Sequence, residues 1–561
     1  MVLQKDDIGI ARDAEVKDIA DVAATVGLSA ADIEQYGRYM AKVPLDVVGR
    51  YGDAADGKLI VVTAVTPTPA GEGKTVTTIG LIQGLAHIGK KVVGTLREPS
   101  LGPTFGVKGG ATGGGRSQVY PMWDIDLHFT GDIHAVGAAH NLLSAVLENE
   151  LVRDNRLGID PSRILLRKAM DMNCRELRDV VVGLGDSRLS GGVTHRGGFL
   201  ITSASEVSAI LALATDYADL RSRLERMVVA YTYAGEMVTA GDLGCVGSMM
   251  VLLKDALKPN LVQTLEGQPV FVHGFPFANI AHGTNSIIAT RLALKLGDYA
   301  VTEVGFAADL GGEKFMDVVC RQSGLVPDCV VVVASIRALM MHGGAQKDDP
   351  ATFTAEALRK GLPNLDRHVG SMVSFGVPVM VAVNRFGSDD PAHISLLEEH
   401  CAGMGIDCVV SEAHAKGGEG AALLAAKAAA LADAGGEGFR HLYADDLPVR
   451  AKIELIAREI YGADGVEYSP AASRTIDDLE RRGFGRLPIC TAKTQYSLSD
   501  KAELKGAPTG WTLNVREVLL SAGAGFIVPV CGSMMLMPGL GRVPSAMNID
   551  LDADGNVTGL R

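Results

Sequence analysis

A run of small residues that ends in Gly-Lys-Thr has the composition of a phosphate-binding loop. The run Thr66-Pro67-Thr68-Pro69-Ala70-Gly71-Glu72-Gly73-Lys74-Thr75 follows the apolar segment 59–65 and precedes a helical pattern. Small residues let backbone N–H groups turn toward phosphates, and the first amides of a helix add positive partial charge. Lys74 would then reach the terminal phosphates, and the Thr75 hydroxyl would hold magnesium. The sequence therefore predicts an ATP site, with magnesium bound through the nucleotide, at Thr68, Pro69, Ala70, Gly71, Glu72, Gly73, Lys74 and Thr75.

This loop is a variant, because the strict phosphate-loop pattern has Gly at the position of Thr68. Its backbone path can therefore differ, and the alternative is a glycine-rich turn without a ligand. A second stretch, Gly106 to Gly115, has six glycines in ten residues. That is too many for regular structure, so it indicates a loop close to a ligand or to another backbone, with a flexible surface loop as the alternative.

Composition and charge favour an α/β enzyme. Of the 561 residues, 47% are apolar, 5% are aromatic and 67 are glycine, a balance that suits many strand-to-helix turns. The net charge of -13 argues against a nucleic-acid surface, which needs an excess of Lys and Arg. The eight cysteines contain no C-x-x-C pair, and the first 17 residues hold no continuous apolar stretch. We therefore expect a cytoplasmic protein without a zinc finger, a secretion signal or a membrane span.

Short β-branched runs alternate with helical patterns after residue 57. They lie at 91–96, 180–184, 227–231, 270–273, 299–304, 329–334 and 379–383. Near-continuous apolar strands are typical of a parallel sheet that is covered by helices on both faces. Ligands of such sheets bind at the carboxyl ends of the strands. The segments Arg97 to Pro103 and Asn384 to Gly387 directly follow two of these runs, so both are predicted to line the site.

Taken in order along the chain, several motifs resemble the formate–tetrahydrofolate ligase family, and the likeness covers nearly the whole sequence. Besides the loop at 66–75, the motifs that carry it are Leu96 to Pro103, Gly106 to Gly110, Leu127 to Asp132, Phe275 to Gly283, Asp309 to Phe315, Ala415 to Gly420 and Lys493 to Ser499. A phosphate loop alone would indicate only a nucleotide-binding protein, whereas this ordered set is specific to one family.

The resemblance implies an enzyme of one-carbon metabolism that joins formate to tetrahydrofolate at the expense of ATP. Formate would attack the terminal phosphate and give formyl phosphate, and the N10 amine of tetrahydrofolate would then take the formyl group. Lys74 and Thr75 would serve the phosphates and magnesium, and Arg97 would bind the acyl phosphate, since a guanidinium offers several donors in a fixed fork. The alternative for Arg97 is a structural salt bridge with a nearby acid such as Glu98. A homotetramer and a response to potassium or ammonium are further expectations.

The fold that the resemblance implies is a large P-loop-type parallel-sheet nucleotide domain with two smaller α/β domains. We expect an N-terminal helical extension at 1–57 and the nucleotide and formate-activating domain at 58–363. An α/β domain at 364–460 would contribute to the folate site, and a C-terminal α/β domain would occupy 461–561.

Folate requires a site of its own, because its flat fused ring is best held between aromatic side chains. Phe386 matches one such ring in the family, whereas the second, a Trp, is His414 in this sequence. An imidazole can stack but covers less area, and its charge can change near neutral pH. The residues predicted to bind substrates are Glu98, Asp132, His282, Phe386 and His414. For His282, the alternative is a structural role in the turn at 279–283.

Other departures from the family pattern fall in well-matched stretches. Arg116 stands for a Tyr, Trp123 for a Glu, Met340 for a Lys and Leu200 for an Asp. These changes leave two alternatives to the ligase open. One is a divergent relative that makes an acyl phosphate but uses another acceptor or another acid. The second is a regulatory protein that binds a nucleotide without turnover.

Overall fold

The computed structural model describes residues 6–106, 110–185, 191–435 and 438–560. Val107 to Gly109, within one of the matching motifs, lie outside these ranges. In the described ranges the α-helices are α1 Asp7–Arg12, α2 Ile19–Thr25, α3 Leu45–Arg50, α4 Lys74–His87, α5 Leu101–Phe105, α6 Met122–Asp126, α7 Asp132–Arg153, α8 Glu206–Leu213, α9 Tyr217–Glu225, α10 Val246–Leu253, α11 Ile287–Leu296, α12 Cys320–Ser323, α13 Ile336–His342, α14 Ala355–Ser374, α15 Pro391–Gly403, α16 Ala413–Lys416, α17 Gly418–Ala434, α18 Val449–Leu455 and α19 Pro470–Arg481.

The strands of the described ranges are β1 Glu34–Gln35, β2 Ala41–Lys42, β3 Lys58–Ala64, β4 Val92–Leu96, β5 Gly113–Gly114, β6 Ser117–Tyr120, β7 Ile159–Ile164, β8 Lys168–Ala169, β9 Val180–Val182, β10 His195–Gly197, β11 Phe199–Leu200, β12 Val228–Thr232, β13 Met237–Thr239, β14 Asn260–Thr264, β15 Pro269–Val272, β16 Tyr299–Glu303, β17 Cys329–Ala334, β18 Val379–Asn384, β19 Cys408–Ser411, β20 Gly465–Tyr468, β21 Thr512–Ser521, β22 Phe526–Cys531, β23 Asp550–Leu551 and β24 Val557–Thr558. Twelve of them form one large sheet, whose main path runs β1-β2-β14-β15-β4-β16-β3-β17-β18-β19.

The centre of this sheet is parallel from β15 to β19. Its strands are buried on both faces because helices cover each side. On one face, α4 and the Ala-rich α17 pack against Ile60 and Val62 of β3. On the opposite face, α11 and α14 belong to the larger core that includes Val61 of the same strand. The prediction of an α/β fold with a large parallel sheet is confirmed.

Two predicted strands of the parallel sheet are placed elsewhere. The run at 180–184 forms β9, which pairs with β10 in a separate antiparallel hairpin. The run at 227–231 forms β12, which lies between β7 and β13 in a small antiparallel sheet. For β9 the reason is exposure: Val181 is 61% exposed, so this valine-rich run does not enter a core that is covered on both faces. Assigning these two runs to the parallel sheet was wrong.

Two buried π-helical segments, Ala308–Gly312 and Phe315–Val319, follow β16 near the carboxyl end of the sheet. Such widened turns are uncommon and often occur at functional sites. A further sheet, β20-β21-β22, lies in the C-terminal part of the chain. The four-part domain division stays a prediction, and the large sheet itself runs across the boundaries at 57 and 363.

The first helix and the last hairpin meet on one side of the molecule. Ile8 and Ala11 of α1 pack with Met122 and Leu560 in a small separate core. The Arg12 guanidinium donates to the Val557 carbonyl at 2.7 Å. All eight cysteines are free thiols. Within the described ranges no helix has both the length and the apolar character needed to cross a bilayer.

Candidate active site

The predicted phosphate loop joins the carboxyl end of β3 to the start of α4. Gly71 and Gly73 adopt positive φ angles of 80° and 75°. A Cβ atom on Gly73 would lie 1.8 Å from the Asn384 amide nitrogen at the end of β18, so only glycine fits at this position. Thr68 is accommodated because its N–H and hydroxyl donate to Glu72 Oε1 at 2.6 and 3.0 Å. The Glu72 carboxylate therefore closes the loop where the strict pattern has a glycine.

The entrance of the loop is fixed by helices on the second face of the sheet. The Thr66 hydroxyl lies 2.8 Å from His368 Nε2 and accepts from the Asn364 amide at 3.0 Å. The Thr66 carbonyl lies 2.8 Å from His342 Nε2. Burial lowers the pKa of both histidines to about 4, so neutral imidazoles hold this turn at neutral pH. The loop is thus held in place without a ligand.

Lys74, the first residue of α4, is paired with a carboxylate that the sequence did not indicate. Its ammonium lies 2.7 Å from Glu303 Oε1, and Glu303 is the last residue of β16. Burial lowers the pKa of Lys74, and the Glu303 carboxylate opposes that shift. The only signal for Glu303 was an acidic residue at the end of an apolar strand, and its contact with Lys74 depends on β16 lying beside β3.

Arg97 follows β4, on the opposite side of β16 from β3. Its guanidinium donates to the Pro276 carbonyl at 3.0 Å, and in the described part of the chain its Nε–H has no partner. Burial lowers the Arg97 pKa, with the Glu303 charge acting in the opposite direction. Counting only described residues, Arg97 forms no ion pair with Glu98, and the carboxylate whose charge acts on it is that of Glu303. Glu303 thus acts on two buried cations, Lys74 and Arg97, which follow the strands on either side of β16.

Glu98 and Asp132 are both buried near a third buried residue, Lys42. Asp132 accepts from the Lys42 ammonium at 2.8 Å and from the Asn260 amide at 2.7 Å. Burial, followed by the nearby Asp132 charge, raises the pKa of Glu98 well above its usual range. Glu98 Oε2 is enclosed and unpartnered among the described residues. The pair Lys42–Asp132 is therefore part of the framework, and Glu98 retains an acceptor for a ligand.

His282 lies in the segment 275–283, close to Arg97. It is fully buried, and within the described ranges neither ring nitrogen has a hydrogen-bond partner. Burial, with help from Lys314 and Arg97, lowers its pKa to about 3, so the ring is neutral at physiological pH. The side-chain amide oxygen of Asn279, in the same segment, is also enclosed and has no partner among the described residues. Buried polar groups normally have partners, so these free atoms indicate a place for a polar ligand.

Phe386 and His414 emerge from neighbouring strands. β18 and β19 are parallel with Asn384 opposite Ser411, so Phe386 and His414 follow paired strand ends at the same edge of the sheet. Between them, the Glu412 carboxylate accepts from Arg385 at 2.9 Å and from Lys416 at 2.6 Å. A groove of about 480 Å³ opens beside these three charged residues. His414 is exposed and Phe386 is half-buried, as a stacking surface for a ligand requires.

The glycine-rich stretch packs against the backbone of His414. The Arg116 N–H donates to the His414 carbonyl at 2.9 Å, and the Gly115 N–H donates to Asp7 Oδ1 at 2.8 Å. A Cβ on Gly115 would lie 2.1 Å from the His414 carbonyl oxygen and 2.8 Å from its ring. Over its described residues, this stretch therefore packs closely against another backbone, as predicted from the sequence.

The other departures from the family pattern lie in different surroundings. Arg116 is exposed next to His414, and Trp123 packs edge-on against Tyr120 with ring centroids 5.4 Å apart. Met340 and Leu200 are buried at 2% and 8% exposure, so both act as core residues. Arg116 contacts a predicted substrate residue, because its N–H donates to the His414 carbonyl.

The residues present fit a nucleotide with its magnesium. The loop amides and the α4 N-terminus favour phosphate, and Lys74 and Arg97 add two cations. Thr75 is half-buried in the first turn of α4, where its hydroxyl is available to a metal. Across the described residues no three His, Cys, Asp or Glu are grouped to hold a metal ion. A metal would therefore be held through the nucleotide and Thr75.

Comparison with known proteins identifies the family. Residues 5–561 match the family described as formate–tetrahydrofolate ligase. A formate–tetrahydrofolate ligase of Symbiobacterium thermophilum is 55% identical over 555 residues, which cover 99% of each chain. A formate–tetrahydrofolate ligase of Granulibacter bethesdensis is 54% identical over 557 residues, which cover 99% of this chain and 97% of the relative. This chain therefore belongs to the formate–tetrahydrofolate ligase family.

Proposed function

We propose that the protein ligates formate to tetrahydrofolate with ATP and that it does so in two steps through formyl phosphate. A formate oxygen attacks the terminal phosphorus and ADP leaves. The tetrahydrofolate amine then attacks the formyl carbon and phosphate leaves with the bridging oxygen. Family membership supports the overall ligation, and the relatives at about 55% identity favour it over a divergent acceptor or a protein without turnover.

The observation that carries the two-step route is the position of Glu303 between Lys74 and Arg97. The two cations follow β3 and β4, the strands on either side of β16. An anhydride of formate and phosphate is an anion at both steps, and two cations placed beforehand stabilise it without reorganisation. Lys74 is assigned to the transferring phosphoryl group, and Arg97 to the acyl phosphate, because its Nε–H is still available.

Activation of formate explains why such a site is needed. Formate is a poor acyl donor because oxide is a very poor leaving group, whereas phosphate leaves readily. Positioning and charge neutralisation supply most of the catalysis in phosphoryl transfer. Magnesium, held by the nucleotide and Thr75, would neutralise charge on the phosphates. The neutral His282 and the free oxygens of Asn279 and Glu98 would line the cleft on the acceptor side.

Tetrahydrofolate is assigned to the edge formed by Phe386 and His414. Its ring would stack on these two side chains, and the neighbouring groove, which Arg385 and Lys416 line but Phe386 and His414 do not, would lie beside it. Asp132 would support the site indirectly, through its ion pair with Lys42 at the strand end, and would not contact the substrate itself. We also propose a cytoplasmic homotetramer that potassium or ammonium activates. Light scattering, and turnover in potassium compared with sodium salts, would test these two properties.

The decisive experiment uses purified protein, ATP, magnesium and formate, with and without tetrahydrofolate. ADP release and the absorbance of the acid-converted folate product are followed together. Formate labelled with heavy oxygen should deliver one labelled oxygen to phosphate, because that atom bridges carbon and phosphorus in the intermediate. Product without label transfer would contradict the acyl phosphate. Turnover with another amine but not with tetrahydrofolate would contradict the acceptor.

A further inference from the structure

Two buried cations, Arg97 and Lys314, bind backbone carbonyls of the segment 275–283. The Arg97 guanidinium binds the Pro276 carbonyl at 3.0 Å. The Lys314 ammonium donates to the carbonyls of Ala278 and Ala281 at 2.5 and 3.1 Å. Glycines allow the close packing, because a Cβ on Gly283 would lie 2.1 Å from the Ala278 Cβ. The conformation of this segment therefore depends on interactions between cations and backbone carbonyls.

Burying the charged side chain of Lys314 at this position costs free energy. It is fully buried between the two π-helical segments, and in the described part of the chain it forms no ion pair with a carboxylate. An ammonium in such a place loses its hydration, so burial lowers the Lys314 pKa. The charged or titratable groups around it are Glu313, Asp309, Lys493 and Cys490. Asp309 is already paired with Lys493 at 2.7 Å.

The two carbonyls that Lys314 binds flank the residues with unpartnered polar atoms. Asn279 follows Ala278 in the sequence, and His282 follows Ala281. Lys314 therefore fixes the backbone that carries both of these side chains. Its positive charge also acts on His282, together with Arg97 and Arg223, and the Phe526 ring covers the imidazole edge-on at 6.4 Å. Each of these cations disfavours an imidazolium.

We propose that Lys314 is a positioning residue that orients the turn from Ala278 to Ala281, and with it the Asn279 and His282 side chains, for the reaction. A neutral imidazole has one N–H donor and one free lone pair, so it can bind formate or the acceptor amine without competing with Arg97 for the anion. This assignment rests on the proposed function, because it supposes that His282 faces the substrates. Lys314 does not itself touch them.

The test compares Lys314→Met with a matched control, Lys452→Met. Lys452 is likewise a fully buried lysine that donates to two backbone carbonyls, those of Gly485 and Leu487, but in the C-terminal part of the chain. Both variants should lose thermal stability. Only Lys314→Met should raise the KM for formate about tenfold and move the acidic limb of the kcat/KM profile to higher pH, because removing a nearby cation raises the His282 pKa.

The double variant Lys314→Met/His282→Gln decides whether the effect passes through His282. It should lack the shifted acidic limb that Lys314→Met shows. Persistence of that limb, or a Lys314→Met enzyme that differs from wild type only in stability as Lys452→Met does, would overturn the proposal. If Lys314→Met does not accumulate, Lys314→Arg should keep the wild-type limb and raise the formate KM, and an unchanged KM would overturn it. Wild-type turnover of formate is measured in parallel, so that failure of the proposed ligase function can be distinguished from failure of the proposal for Lys314.

Discussion

The Lys74 ammonium lies 2.7 Å from the Glu303 carboxylate. The loop lysine is therefore neutralised by the neighbouring strand before a nucleotide arrives. A phosphate that enters the loop must share or replace this partner, since one ammonium has only three donors. The pair Lys74–Glu303 thus links nucleotide binding to the formate side of the cleft, where Arg97 acts on the opposite side of Glu303.

Replacing Lys74 with alanine should abolish formate-dependent ADP formation, by about a thousandfold or more, because the main cation on the transferring phosphoryl group is lost. Lys58→Ala is the control, since Lys58 lies at the opposite end of β3 and pairs with Asp328 at 3.0 Å. It should leave ADP release near the wild-type rate. A Lys74→Ala enzyme with more than a tenth of wild-type ADP release would contradict the assigned role.

Glu303→Gln should make thermal stability more dependent on nucleotide. The neutral amide leaves Lys74 and Arg97 without their shared carboxylate, so the free protein should lose about 1–3 kcal/mol of unfolding free energy. Bound ATP would replace the missing negative charge. Scanning calorimetry should therefore show a lower Tm without ligand and a larger ATP-induced rise than in wild type. Equal increments in the two proteins would argue against a phosphate at this position.

His414→Trp should tighten tetrahydrofolate binding about two- to tenfold, because an indole covers more of a flat ring than an imidazole does. ADP formation in the first step should be unchanged, since in the described part of the chain no hydrogen bond joins His414 to residues 66–75. Fluorescence titration gives the Kd, and single-turnover ADP release is the internal control. Unchanged or weaker folate binding would place His414 outside the stacking surface.

Gly115→Ala should raise the KM for tetrahydrofolate, because the added Cβ would displace the His414 carbonyl and ring. Gly89→Ala is the matched control: Gly89 has a φ of 80° with open space around it, so it reports only the cost of a positive φ. Both variants should lose some stability. Equal effects on the tetrahydrofolate KM would show that Gly115 does not support the acceptor site.

Asp126→Asn should make the protein more stable in mildly alkaline solution. Burial raises the Asp126 pKa to about 8, although the Thr112 hydroxyl lowers it in part. The folded state thus holds the proton more tightly than the unfolded state, and this contribution is lost as pH rises from about 4 through 8. The amide never ionises, so at pH 9 the variant should gain on the order of 1–2 kcal/mol over wild type. Denaturation curves at pH 5 and pH 9 check the sign.

Local patterns predicted the residues that follow strands, and sheet order determined their partners. The spacing of 66–75 placed Lys74 at a helix start, and Arg97 followed a strand, both as observed. Neither Glu303 nor the contact of Asn384 with the loop could be predicted, because each residue meets the loop only when β16 and β18 take their places in the sheet. Thr68 departs from the strict phosphate-loop pattern, and the sequence did not show that the Glu72 side chain closes the turn there. The valine-rich β9 shows the converse limit, since its residue types fit a core that its surroundings do not provide.

The contact between α1 and the β23–β24 hairpin has a practical consequence. Since Arg12 binds Val557 and Asp7 holds Gly115, peptides fused ahead of the first helix or behind the last hairpin would emerge near the backbone that supports His414. The closeness of α1 to β24 also makes the chain suited to circular permutation with a short linker. New ends opened on a distant surface loop would then leave the acceptor edge free of appended sequence.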